Sequence, residues 1–184
     1  MAGEVTLLLE RYRQGDTGAF NALAELIYPQ LKVMAQRRTR GDGGLGATML
    51  VNETFLKLLS GGELKLEDRQ QFFALAASIM RQIIVDEVRY VTAQKRSGSE
   101  HTFTDAKIAD PAHEEAEFLL QVDQLLEQLE RDDAQLARVF ECHYFAGFTT
   151  AESSEALGIS ARSVERLWAS ARERIAELMK DSTR

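Results

Sequence analysis

The chain has 184 residues, a formal net charge of −7, one cysteine, two prolines and 45% hydrophobic residues. That length fits one domain or two small ones at roughly 100–200 residues each, and lone Cys142 excludes a disulfide framework and a cysteine-cluster zinc site. No stretch approaches the roughly 18 apolar residues of a membrane span and the start does not read as a secretory signal, so a soluble cytoplasmic protein is expected.

Charge is unevenly placed. Residues 1–92 hold 11 basic and 11 acidic side chains, 93–118 hold 3 and 6, 119–161 hold 2 and 8, and 162–184 hold 6 and 4. An acidic total argues against a protein that coats nucleic acid without specificity, because neutralising phosphates needs clustered Lys and Arg. It leaves room for a reader that uses one basic helix, and the positive C-terminal segment is where such a helix belongs.

Apolar spacing is helical almost throughout, with no convincing run of period 2. Leu7, Leu8 and Tyr12, then Phe20, Leu23, Leu26 and Ile27, define two helices broken at Gln14-Gly15-Asp16, with Asp16 as N-cap. Pro29 is expected to kink the second helix, which runs on towards Arg38. Gly41 to Gly46 reads as a flexible connection; it lacks the Lys-Ser/Thr and the preceding strand of a phosphate-cradling loop. A third helix spans about Met49 to Leu59 and stops at Gly61-Gly62, and a fourth spans about Asp68 to Val91. Residues 93–112 lack periodicity and read as a linker, followed by helices at about 113–130, 133–146, 150–157 and 160–179. The expected fold class is all-α: two helical domains, 1–92 and 113–184, joined by the flexible linker.

Thr149 to Trp168 has the pattern of a helix-turn-helix. Thr149 and Glu152 make a capping box. Gly158 stands where the inter-helix turn uses a positive φ. Leu157, Ile159, Val164 and Leu167 fall at the buried positions, and Ser154 is small enough to let the helices approach. Ser160 can cap the second helix, whose exposed start would bring Arg162, Ser163, Glu165 and Arg166 to base edges in the major groove, with Arg172 and Arg174 near phosphates. Trp168 and Cys142 are expected in the core.

Three stretches resemble bacterial extracytoplasmic-function (ECF) sigma factors. Leu50-Val51-Asn52-Glu53-Thr54-Phe55-Leu56 is similar to that family's core-polymerase-binding helix, usually Leu-Val-Gln-Glu-x-Phe-Leu. Phe72-Phe73-Ala74 through Met80-Arg81-Gln82 to Arg89 resembles the helix that melts and reads the −10 element. Phe140 to Thr149, leading into the helix-turn-helix, resembles the reader of the −35 element. The resemblance covers nearly the whole chain in the family's order. It implies a non-catalytic initiation subunit without cofactor or metal, whose partners are core RNA polymerase and promoter DNA. Val51, Asn52, Glu53, Phe55 and Leu56 would bind polymerase; Arg81, Gln82, Arg89, Arg162, Ser163, Arg166 and Arg172 would bind DNA. Phe72 and Phe73 are read as core, whereas Arg81 and Gln82 interrupt an apolar face and so are expected to face DNA.

The chain departs from the family at informative places. The family usually has Asn at position 82 and a run of arginines ending that helix; the less basic end here implies weak intrinsic DNA affinity. Before the Leu-Val-Gln-Glu-like run the family commonly carries Asp-Ala-Glu-Asp, which pairs with basic polymerase residues, whereas this chain has Gly46-Ala47-Thr48-Met49. Losing complementary charge slows association and weakens binding. The Thr-x-Leu-Val-Asn-Glu pattern resembles a subgroup with members activated by Ser/Thr protein kinases, which implies phosphorylation of Thr48. A phosphate there adds about −1.5 to −2 charge in place of the missing acids. Its place at a helix start favours the charge, although Thr48 also suits a plain N-cap. An anti-sigma factor is a further partner compatible with the family.

Two other classes compete. A stand-alone regulator would use the helix-turn-helix as a dimer and needs a self-sufficient basic surface, which the neutral first half and acidic 119–161 do not offer. A small helical enzyme finds little support: His113-Glu114-Glu115-Ala116-Glu117 lacks the second His of a zinc protease motif, and His101, His113 and His143 lie far apart.

Overall fold

The computed structural model describes residues 2–39, 46–60, 68–98 and 111–182. Among these the regular structure is entirely helical: α1 (Ala2–Arg13), α2 (Thr17–Arg38), α3 (Ala47–Ser60), α4 (Arg69–Gly98), α5 (Pro111–Asp132), α6 (Ala134–Phe140), a π-helical turn (Glu141–Phe145), α7 (Thr150–Leu157) and α8 (Ala161–Ser182). The glycine-rich stretch over 41–45, the Gly61-Gly62 helix end and linker residues 99–110 lie outside the described residues.

Local chemistry explains the boundaries. The Asp16 carboxylate accepts from the backbone N–H groups of Gly18 (3.0 Å) and Ala19 (3.2 Å), satisfying two donors that open α2. Asp133 does the same for α6 through Gln135 and Leu136. Pro29 stands inside α2, which is assigned without interruption from Thr17 to Arg38. The fourth helix outlasts the apolar stripe that defined it: no Pro or Gly intervenes between Val91 and Ser97, and Ala93, Gln94, Lys95 and Arg96 are good helix formers, so it runs on to Gly98. Pro111 opens α5, at the one helical position where its missing N–H costs nothing.

Helices α1 to α4 pack around Leu23, Ile27, Leu31, Met34, Leu50, Leu58, Phe72 and Met80, none more than 1% exposed. Helix α8 buries Val164, Leu167, Ala171, Ile175 and Leu178, a stripe at spacings of three and four, against α5, α6 and α7. Each large apolar side chain so buried contributes about 1.5–3 kcal/mol. The halves expected from the sequence are packed face to face. Helix α4 lies against α5, the π turn and α7, and Phe73 meets Phe148 edge-on at 6.2 Å between ring centres. One continuous apolar core runs from Val5 to Leu178.

Candidate nucleic-acid interface

The α7–α8 pair is built by short-range bonds. Thr149 Oγ1 accepts from the Glu152 N–H (3.3 Å), while the Glu152 carboxylate accepts from the Thr149 N–H (2.7 Å), a complete capping box. Gly158 ends α7 at φ 65°. The small-residue expectation shifts by one position: Ser153, not Ser154, is the fully buried serine, and its hydroxyl finds no partner. Ser154 instead donates to the Ile159 carbonyl at 2.6 Å, bracing the turn. Ser160 Oγ accepts from the Ser163 N–H at 3.1 Å and so caps α8. Arg162, Glu165, Arg166 and Arg172 are exposed on α8, and Ser163 is half-buried beside its cap. Arg172 lies over the Trp168 ring at 5.2 Å, and that ring also meets His143, stacked at 4.9 Å, and Phe140 at 5.4 Å. Arg174 turns to Glu177 (3.3 Å) and Asp132 (3.8 Å). Cys142 is buried as expected, and burial pushes its thiol up to about 12.

On α4, Phe72 and Phe73 are core, as read from the sequence. Gln82 and Arg89 are exposed, but the residues that flank Gln82 on this face are engaged. Arg81 Nε donates to Asp123 Oδ1 at 2.7 Å and Arg81 Nη2 to the Asp123 carbonyl at 3.2 Å. Its Nη1 reaches Glu141 at 3.5 Å, a weaker contact. Arg89 Nη2 donates to the second oxygen of Asp123 at 3.3 Å. The side chains of Arg81 and Asp123 are 14% and 5% exposed, so this is a largely desolvated pair. Removing one partner of such a pair costs about 3–5 kcal/mol, because the other charge stays buried. Burial raises the Glu141 carboxyl above the usual range, with Arg81 opposing it. A polar cleft of about 290 Å³ lies at this junction, with Arg81, Gln82 and Arg89 on one wall and Asp123, Glu127 and Glu130 on the other.

Two more ion pairs cross between the halves. Arg37 donates to the Gly147 carbonyl (2.9 Å) and to both oxygens of Glu152, one of them at 2.9 Å. Burial alone would raise the Glu152 carboxyl; the Arg37 guanidinium and the Thr149 donors outweigh it and hold it below the usual range. Arg69 Nε donates to Glu155 at 2.7 Å. Sequence reading missed these partnerships because they join residues far apart in the chain. The acidic content of 119–161 is their only signal in the sequence.

The α3 residues divide by face. Val51 is fully buried and Phe55 is 9% exposed, packed against Phe20 (6.3 Å) and Tyr28 (6.0 Å), so both serve the core in this conformation. The outward stripe is Met49 (50% exposed), Asn52, Glu53 and Leu56 (56% exposed), at helical spacings. Met49 was not singled out from sequence. Asn52 accepts from the Tyr28 hydroxyl at 3.3 Å. Thr48 is exposed and is the second residue of α3; the Gly46 carbonyl accepts from Leu50, so Gly46 stands at the cap position and the plain N-cap role for Thr48 is corrected.

The described residues thus form a helical fold with a capped helix pair, an arginine-bearing outer helix and a second group of arginines on α4. The family model described as ECF sigma factor matches residues 2–181, and the chain belongs to that family. It is therefore a sigma factor directing transcription, a non-enzymatic role whose partners are core RNA polymerase and promoter DNA. A solved structure of CnrH in complex with the cytosolic domain of CnrY is similar over 97% of this chain and 98% of that one, at 18% identity and a TM-score of 0.44. No curated protein matches the chain. Among the described residues no helix is long and apolar enough to cross a membrane.

Proposed function

We propose that the two halves, 1–92 and 113–184, divide promoter recognition, and that phosphorylation of Thr48 switches the factor on. The α4 face carrying Arg81, Gln82 and Arg89 reads the −10 element. The α7–α8 pair acts as a helix-turn-helix on the −35 element, with Arg162, Ser163 and Arg166 at base edges and Arg172 at phosphates. The segment between α4 and α5 acts as the tether between the two readers. Core RNA polymerase docks on the outward stripe of α3, and a Ser/Thr protein kinase supplies the charge that stripe lacks.

The observation that carries the switch is the position of Thr48: exposed, in the first turn of α3, one residue before Met49 and one turn before Asn52, with no acidic residue from Gly46 to Met49. A phosphate there meets the positive end of the helix dipole and adds negative charge beside the docking stripe. Binding to core RNA polymerase tests it without a known promoter. Unmodified protein is expected to bind weakly, the phosphorylated form at least about tenfold more tightly, an electrostatic gain of about 1.4 kcal/mol, and Thr48→Ala is expected to stay weak after kinase treatment. Tight binding by the unmodified chain would remove the switch. Failure of all forms, including the phosphorylated one, would remove the α3 docking surface.

A further inference from the structure

Helices α2 and α3 pack against each other and run antiparallel: Phe20 meets Phe55, while Tyr28, two turns further along α2, reaches back to Asn52 with its hydroxyl. One turn onward on α2 and one turn back on α3 bring Lys32 beside Thr48, in the register of the Tyr28–Asn52 pair. Lys32 already leans to this side. Its ammonium lies 5.9 Å from the centre of the Tyr28 ring, the same ring that stacks on Phe55 and carries the hydroxyl bonded to Asn52. The other cations in the last two turns of α2 are turned elsewhere: Arg37 donates to Gly147 and Glu152, and Arg38 lies over the Tyr144 ring. Lys32 is half-buried, and among the described residues no carboxylate pairs with it.

We infer that Lys32 is the second half of the Thr48 site: a positioning residue that holds a phosphate on Thr48 by an ion pair across the α2–α3 groove. The inference rests on the reading of Thr48 as the phosphorylated residue. Phosphothreonine supplies the charged acceptor oxygens that an ammonium seeks, and the flexible lysine stem can swing from the Tyr28 ring to a neighbour one turn away. The hydroxyl of unmodified Thr48 carries no charge, which leaves Lys32 over the ring. Pairing has two consequences. It draws the phosphate off the open end of α3 and towards Asn52, beside the outward stripe. A phosphate of about −1.5 to −2 also keeps a net negative charge after one lysine has paired with it. A docking partner therefore meets an anion already held in one place, so less ordering remains to be done on binding.

The test uses the full chain with Thr48 carried as phosphothreonine by genetic-code expansion, so that no kinase is needed, and follows the phosphate by phosphorus NMR across pH. A neighbouring cation favours the dianion. The second phosphate pKa is therefore expected at least about half a unit lower in this protein than in its Lys32→Met variant, which keeps an apolar stem and loses the charge. Lys32→Arg is expected to keep the low value. Lys180→Met, on α8, which packs against α5 to α7, is expected to leave it unchanged within about 0.1 unit. The difference is expected to shrink in about 1 M salt, where the screening length is about 3 Å. In the otherwise unaltered chain, the ε-methylene protons of Lys32 are expected to titrate together with the phosphorus signal, a measurement that stands even if Lys32→Met does not fold. Equal phosphate pKa values with and without the Lys32 charge would overturn the pairing, as would, where the variant does not fold, a Lys32 signal that ignores the phosphate. The switch fails separately: the pairing is then seen, but the phosphorylated chain binds core RNA polymerase no more tightly than the unmodified one.

Discussion

Two residues apart in the π turn, Glu141 and His143 respond to acid in opposite senses. Burial raises the Glu141 carboxyl, so its protonated form is favoured in the folded chain, and its contribution to stability grows as pH falls towards the usual 4.5. Burial lowers the His143 imidazole below its usual 6.5, so the folded chain favours the neutral ring. Stability from that ring is fully present above pH 6.5 and is lost as pH falls through its lowered folded value. The ring stacks on Trp168 and its Nε2 has no hydrogen-bond partner, so nothing in place compensates a second proton. His143→Gln removes this titration, and with it the stack on Trp168, whose loss does not vary with pH. Urea midpoints measured across pH should then fall less steeply below pH 6.5 in the variant than in wild type. Parallel slopes would show that another group governs the acid limb.

At the scale of elements, two glycines separate the joints that can yield from those that cannot. Gly147 has φ 69°, and a Cβ there would lie 2.5 Å from the Met34 carbonyl oxygen and 3.2 Å from the Arg38 nitrogen. Backbone strain and backbone collision act together, so Gly147→Ala is expected to cost about 3 kcal/mol in urea denaturation. Gly158 has φ 65°, but its Cβ would meet the end of the flexible Gln70 side chain at 2.8 Å. Gly158→Ala is expected to cost only about 1 kcal/mol, the strain of the left-handed backbone. Equal losses would refute this ranking. Gly158 was legible in the sequence because its role is local: a capped helix before it and a serine cap after it bracket a turn. Gly147 was not, because what it touches is the end of α2, 110 residues away from it by the Arg37 hydrogen bond. The same division runs through the site. Apolar period gave every helix, and short-range capping gave Asp16, Thr149, Glu152 and Ser160. The partner of Arg81 could not be read, since no local pattern couples α4 to α5.

For the whole molecule, a shared core changes how the chain should melt. Domains joined only by a tether unfold independently. Here Phe73, Phe148 and the residues around them belong to one apolar cluster that spans both halves. Calorimetry is therefore expected to show one transition, with calorimetric and van't Hoff enthalpies equal. Two resolved transitions, or an enthalpy ratio well above one, would show that the interface between the halves adds little to their stability. The same packing accounts for part of the net charge of −7: much of the acid lies in 119–161, where Asp123, Glu141, Glu152 and Glu155 pair with Arg81, Arg37 and Arg69 of the first half.

The enclosed thiol of Cys142 has a practical consequence for following that packing. With its pKa pushed up to about 12 and the residue 2% exposed, it offers almost no thiolate to a reagent in neutral solution. The chain contains no other cysteine. The native protein is thus chemically silent towards maleimides and spin labels, and any cysteine introduced on its surface becomes the one position that reports.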